Sequence, residues 1–148
     1  EVLIKSGGDF LEAMPFKAVD IVLAIGRGFS PQRAFRLLDE KMVLNVIDLR
    51  EYAGRSDSAL KRIKGRIIGL GGKSRRVIEE LTGADVSVYG RLVTIIGDVS
   101  QVRLASEAVE TLASGSAHKT VYNMLQRARA KAKLEMLKLW EGGEAAGY

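Results

Sequence analysis

Residues 67–88 read IIGLGGKSRRVIEELTGADVSV, and this stretch decides the fold. Three glycines occupy four positions, Gly69, Gly71 and Gly72, with Leu70 between the first two. Upstream, Leu60, Ile63, Ile67 and Ile68 fall at i, i+3, i+7 and i+8, one face of a helix capped by Asp57 or Ser58. Downstream, Val77, Ile78 and Leu81 form the inner side of a helix from Lys73 to Thr82, which Gly83 stops at the C′ position. Glycines at such a corner let the backbone take positive φ and let a second backbone approach without a Cβ in the way. The following helix offers unpaired N–H groups and the positive end of a dipole, a good seat for phosphate. Lys73, Arg75 and Arg76 stand on its first turn, where acids are normally preferred. An ordinary helical corner with extra glycine has no use for that charge.

Two other phosphate loops fail on spacing. Gly72-Lys73-Ser74 suggests a P-loop, but the glycine required six places before the lysine is Ile67. A dinucleotide fingerprint beginning at Gly69 needs glycine where Ser74 stands. Both motifs also need a strand before the loop, and here a helix precedes it.

Val43 to Leu49 is apolar on both parities, as in a strand buried on both faces. Val86 and Val88 alternate with Ser87 and Tyr89, Gly90 turns the chain, and Leu92 to Ile96 supplies a further strand. Gly97-Asp98 leads into a helix with Val102, Ala105, Ala108, Val109 and Leu112 inward. Residues 42–115 thus run strand, helix, helix, strand, strand, helix, an α+β order. Ahead of them, Val2-Leu3-Ile4 reads as a strand closed by Gly7-Gly8. Asp9 caps a helix running to Ile25, which Pro15 interrupts or delays. After Gly26-Arg27-Gly28, Ser30-Pro31 starts another helix with Ser at the N-cap and Pro at N1, burying Ala34, Phe35, Leu37 and Leu38. Strand, Gly-Asp and apolar helix recur at both ends ("AVDIVLAIG" and "AVETLASG"), so the front of the chain resembles the back half of a second copy. The expected division is 1–40, a partial first module with a connecting helix; 41–116, a complete module; and 117–148, a basic helix and short tail. That last helix, about Thr120 to Trp140, carries Arg127, Arg129, Lys131, Lys133 and Lys138. Val121, Met124, Leu125, Ala128, Ala132, Leu134 and Leu137 form its apolar stripe, which should pack on the body. Gly142-Gly143 should end it.

The chain has 23 Lys and Arg against 18 Asp and Glu, a net +5, unevenly spread. From Lys61 to Arg76 there are seven basic residues, Lys61, Arg62, Lys64, Arg66, Lys73, Arg75 and Arg76, and no acid. A run of one sign points to an anionic partner. No apolar run approaches the roughly 20 residues that a bilayer requires, so no membrane role is expected. The absence of cysteine excludes disulfides, thiolate catalysis and Cys-based zinc sites, and a cytoplasmic protein is expected. Catalytic candidates are few. His118 is the one histidine and has no evident partner, which reads as a surface residue. Glu79 and Glu80 read as solvated carboxylates, and no His, Asp and Glu cluster has metal-ligand spacing. No catalytic residue, metal or cofactor is expected.

The stretch quoted above resembles the KH-domain signature: an apolar pair, Gly-x-x-Gly, a basic helix start, an apolar helix face, Thr-Gly and an apolar strand. The resemblance covers roughly residues 42–115 and implies a three-stranded sheet with helices packed on one face. It implies single-stranded RNA binding, with the loop Gly69-Leu70-Gly71-Gly72 clamping the backbone of about four nucleotides. Bases would lie between the two helices and the strand at 86–89. By that resemblance the contacting residues are Ile68 and Ser87 in the groove, the loop glycines, and Lys73, Ser74, Arg75 and Arg76 at the helix start. Lys61, Lys64 and Arg66 contribute charge from the preceding helix. Leu70 and Gly71 depart from family members with a basic loop tip, which leaves phosphate attraction to Arg66 and Lys73. Tyr89 has two readings, a base-stacking platform or a plain exposed tyrosine.

The wider chain resembles the archaeal and eukaryotic ribosomal-RNA-processing KH proteins, tandem-KH proteins that escort the small-subunit precursor and partner the endonuclease trimming its 3′ end. "AIGRGFSPQRAFRLL" at 24–38 and "SGSAHKTVYNML" at 114–125 carry that likeness. It implies rRNA as ligand and an endonuclease or other ribosome-assembly protein as partner. For the one-sign charge of the last helix three uses compete, plain solvation, a landing site for a protein partner, or an extra RNA surface at Arg127 and Lys131, and the likeness to rRNA-handling proteins favours the last. The competing class is a protein-interaction scaffold with a degenerate KH fold.

Overall fold

The computed structural model describes residues 15–147, with side chains described for 17–142. The expected strand at Val2–Ile4 and the Asp9 cap lie outside the described residues. Helix α1 spans Pro15–Gly26 and α2 spans Pro31–Ala34, continued by a 3₁₀ turn at Phe35–Leu38. Strand β1, Met42–Asp48, leads through the short α3, Arg50–Ala53, into α4, Asp57–Ile68. A second 3₁₀ turn at Leu70–Gly72 joins α4 to α5, Lys73–Thr82. Then come β2, Asp85–Tyr89, β3, Leu92–Asp98, α6, Val99–Ala113, and α7, His118–Gly147.

The sheet is antiparallel in the order β1-β3-β2, with Leu44 opposite Ile96 and Val86 opposite Ile95. Side chains alternate between its faces. One face sets Ile47, Val86, Val93 and Ile95 against Ile63, Ile67, Ile78, Val102, Val109 and Leu112 of α4, α5 and α6. Met42, Leu44 and Ile96, on the other face, pack with Ile21, Ala24, Phe29, Ala34 and Leu37 of the segment ahead of the module. That explains why Val43 to Leu49 is apolar on both parities: β1 is an edge strand covered on both sides.

Local signals set most boundaries. Ser30 Oγ accepts from the Arg33 N–H at 3.3 Å with Pro31 behind it. Gly83, at φ 78°, closes α5. Asp98 and Gln101 form a reciprocal capping box at the start of α6.

Four expectations need correction, and one element, α3, had none. Phe35 and Leu38 are exposed, whereas Ala34 and Leu37 are buried. The 3₁₀ turn has three residues per turn, so only an i, i+3 pair faces the sheet. The α4 cap is Ser56, whose Oγ accepts from the Ala59 N–H at 3.1 Å, and not Asp57 or Ser58. Helix α3 is one short turn without periodicity to announce it, yet its Tyr52 packs on the core. Of the α7 stripe, Val121 and Leu125 are buried and Met124 packs beside them, while Leu134 and Leu137 are exposed. A 30-residue helix is about 45 Å long and overhangs the 10-residue α5 that it packs on. Lastly, α7 continues through Gly142-Gly143 to Gly147, because glycine weakens a helix without removing its N–H donors.

Candidate nucleic-acid interface

The loop between α4 and α5 is set by backbone angles that exclude most side chains. Gly69 sits at φ 75°, ψ 172°, Gly71 at φ 61°, ψ 21° and Gly72 at φ 78°, ψ 13°. A Cβ on Gly69 would stand 2.7 Å from both the Cβ and the backbone nitrogen of Ser74, so the loop lies directly on the first turn of α5. Gly72 is the N-cap and supplies no side-chain acceptor. The helix start is therefore open to an outside anion. Leu70 projects from the tip, 95% exposed.

Beside the loop runs an open groove of about 420 Å³, lined by Ile68, Arg75, Val86, Ser87 and Val88, and also by Gly28, Phe29, Ser30 and Arg33. Two of its lining residues, Arg33 and Arg75, belong to an ionic cluster. Glu79 Oε2 accepts from Arg33 at 2.8 Å and from the Val86 N–H at 3.0 Å, while Oε1 accepts from Arg75 at 3.0 Å. Arg36 bonds Asp85 at 2.6 Å, and Arg33 lies 3.8 Å from the same carboxylate. Glu79 is thus not the solvated acid that its sequence position suggested. It is 13% exposed, paired twice, and satisfies the outward N–H of an edge strand. Glu80 remains exposed.

The sequence-selected residues divide three ways. Ile68, Arg75 and Ser87 line the groove, with Gly69, Leu70, Gly71 and Gly72 at its end and exposed Lys73 on the first turn of α5. Lys61 and Lys64 share the α4 strip that ends at Ile68, at i, i+3 and i+7. The second group lies elsewhere. Arg66 donates from Nε to Leu112 O at 3.3 Å and from a terminal nitrogen to Ser116 O, while its own carbonyl accepts from His118 Nε2 at 2.8 Å. This clasp ties α4 to the α6–α7 turn, so the Arg66 guanidinium is engaged in structural contacts away from the groove lining. His118 accordingly has a partner, contrary to the surface reading. Ser74 is buried under the loop, 2% exposed, and cannot touch a ligand without movement. Exposed Arg76 is not among the groove-lining residues, and Tyr89 is exposed beside Gly28. Third, Arg127 and Lys131 are exposed on α7 and do not line the groove.

Sequence reasoning missed Gly28, Phe29, Ser30 and Arg33. The Ser30-Pro31 cap was legible, but nothing local says that it faces β2.

Element order, antiparallel β1-β3-β2 topology and a Gly-x-x-Gly loop over an uncapped helix start define a KH module of the eukaryotic type. A family model for the second KH domain of PNO1, described as a eukaryotic type KH-domain (KH-domain type I), matches residues 43–130. The chain belongs to this PNO1/Dim2 family of KH proteins. It is 52% identical over 126 residues to a KH domain-containing protein of Methanocaldococcus jannaschii, covering 85% of this chain and 55% of the relative. It is 30% identical to the pre-rRNA-processing protein pno1 of Schizosaccharomyces pombe, covering 79% of this chain and 49% of that one. The chain thus spans about half the length of these relatives. Among solved structures, an Aeropyrum pernix protein superposes with a TM-score of 0.79 at 48% identity, covering 84% of this chain and 67% of that one. A Pyrococcus horikoshii chain from an a/eIF2alpha–aDim2p–rRNA complex gives 0.73 at 52% identity, over 78% of this chain and 63% of that one.

Proposed function

We propose that this chain binds single-stranded RNA through the groove between α4, α5 and β2, as a binding protein and not a catalyst. One observation carries the reading: a bare glycine loop on an uncapped helix start opens into a groove with apolar Ile68, Val86 and Val88 beside Arg75. The loop suits a phosphate, and the apolar walls suit unstacked bases. The processing name of the fission-yeast relative and the rRNA in the Pyrococcus complex support precursor rRNA as the ligand. The 3′ region of the small-subunit rRNA, in the cytoplasm, is the particular target within this proposal. Exposed Met136, Leu139 and Trp140 on the overhanging half of α7 support a protein partner, such as the processing endonuclease or another assembly factor. Residues 1–40, 41–116 and 117–148 are proposed as partial first module, complete module and basic helix.

The test is fluorescence anisotropy with a labelled ten-nucleotide RNA from the 3′ end of small-subunit rRNA, an unrelated ten-mer and a duplex of the first. Binding to the single strands, tightest for the rRNA piece, is expected. Equal binding to all three would leave only generic electrostatics, and no binding would remove the RNA reading.

A further inference from the structure

The groove has a wall that the KH module does not supply. Gly28, Phe29, Ser30 and Arg33 line the same cavity as Ile68 and Val86–Val88, yet they precede the module and lie outside the family match, which begins at residue 43. The wall is fixed in place. Phe29 is buried, 4% exposed, in the cluster with Ile96. Ser87 Oγ donates to Arg27 O at 2.7 Å, and the Phe29 N–H donates to Ala24 O at 3.1 Å. Gly28 has φ 97°, and a Cβ there would meet Ser87 Oγ at 2.8 Å, so the chain presses against β2 at this point.

Arg33 stands on this wall with its orientation set. One terminal nitrogen donates to Glu79 at 2.8 Å and lies 3.8 Å from Asp85. The Nε and second terminal nitrogen make no hydrogen bond to the described residues, and the side chain is 46% exposed. Those two groups form a side fork of parallel N–H donors. Glu79 already accepts from two arginines and the Val86 N–H. It has little capacity to accept from a base, which leaves this wall a donor surface.

We propose that Arg33 reads a base in this groove, and that the base is one with two adjacent acceptors on a single edge. Guanine offers N7 and O6, and cytosine offers N3 and O2. Adenine and uracil place a donor beside each such acceptor, so they meet the fork with one bond at most. Arg33 is then a specificity-determining residue brought by the segment ahead of the module, distinct from the loop that takes the phosphates. The inference rests on the groove being an RNA site.

The probes are labelled heptauridylate and three variants with one central cytidine, guanosine or adenosine, bound to the full chain. The wild type should prefer the cytidine or guanosine probe over adenosine and uridine by about tenfold, within the range of a bidentate arginine contact. Arg33→Lys keeps the charge and removes the fork, so its four affinities should fall within about twofold of one another. Thermal melting confirms that the variant is folded. Replacing Leu70 and Gly71 together by Asp should weaken all four probes alike. A wild type without preference, or an Arg33→Lys variant that retains it, overturns the role of Arg33. If the loop variant loses binding in that case, the RNA reading still stands. If no probe binds the wild type, or the loop variant binds normally, the groove is not the RNA site and both readings fall.

Discussion

Gly69→Ala should be far more damaging than Gly71→Ala, two positions along the same loop. At φ 75°, ψ 172° Gly69 occupies a region that is essentially reserved for glycine, so a side chain costs about 1–3 kcal/mol in backbone strain. The added Cβ also lands 2.7 Å from Ser74 N and Cβ, where carbon contacts want about 3.5–4.0 Å. Neither atom can rotate away, and Ser74 sits in the first turn of a helix whose Ile78 is fully buried. Overpacking of this kind adds about 1–3 kcal/mol, for a sum of about 2–6 kcal/mol. In a chain of this size each kcal/mol lowers Tm by about 2–4 °C, so a fall of about 10 °C is expected. Gly71, at φ 61°, ψ 21°, is in the ordinary left-handed region with no atom within 4 Å of its Cβ position. Its cost is the left-handed strain alone, about 1–2 kcal/mol, or about 4 °C. Scanning calorimetry on the two variants measures both. If Gly69→Ala melts within about 2 °C of Gly71→Ala, the loop does not press on α5 as described.

Four further outcomes follow from the same geometry. The Leu70→Asp, Gly71→Asp double variant should lose RNA affinity by more than tenfold with a small change in Tm, since aspartate tolerates left-handed angles better than most residues; unaltered affinity would remove the loop from the mechanism. Arg66→Gln should lower stability by about 1.5–3 kcal/mol through its lost carbonyl contacts while leaving RNA affinity within about twofold. A fall in its salt slope by about 0.7 would instead make it a phosphate contact. Burial raises the Tyr52 phenol above its usual value, reinforced by Glu110 and Glu51. The folded state then holds that proton more tightly than the unfolded chain, so stability should decline as pH rises through and above about 10, and Tyr52→Phe should flatten the decline measured by urea titration. Changing Arg127, Lys131 and Lys138 to Gln should weaken long rRNA fragments but not a short single strand; no change in either assigns the α7 charge to solubility or a protein partner.

The sequence made legible what neighbouring residues control. Gly83 ends α5 because the left-handed cap is a local demand, and Asp98 with Gln101 closes on itself within four residues. The Gly69–Gly72 loop belongs to the same class. Side chains that reach across the fold escaped. Arg66 sits in the middle of a basic run, yet its guanidinium goes to carbonyls 46 and 50 residues away. Arg33 stands outside that run and meets Glu79 at a separation of 46 residues. A charge run records what the chain carries, and tertiary packing decides which charges remain for a ligand. Phe35 escaped for a different reason: the switch from α to 3₁₀ geometry turned it out of an apolar pattern that both geometries satisfy.

The acid that joins these elements is Glu79. Strand β2 lies at the edge of the sheet, and the outward Val86 N–H would lack a strand partner. Glu79 accepts from it, which holds a carboxylate in a nearly buried place, and such a charge is tolerated only beside cations. Arg75 comes from the module itself, one turn earlier on α5. Arg33 comes from outside, together with Arg36 on Asp85 and the Ser87 contact to Arg27 O. Protecting the edge strand and building the groove are therefore one arrangement, and residues 27–36 take part in both. A fragment cut to residues 43–130 would uncover Leu44 and Ile96, leave Glu79 with a single cation and present the groove with one wall gone. RNA binding measured on that fragment would report on the loop and on α4, α5 and β2, and would lack the guanidinium from which base preference is argued to come.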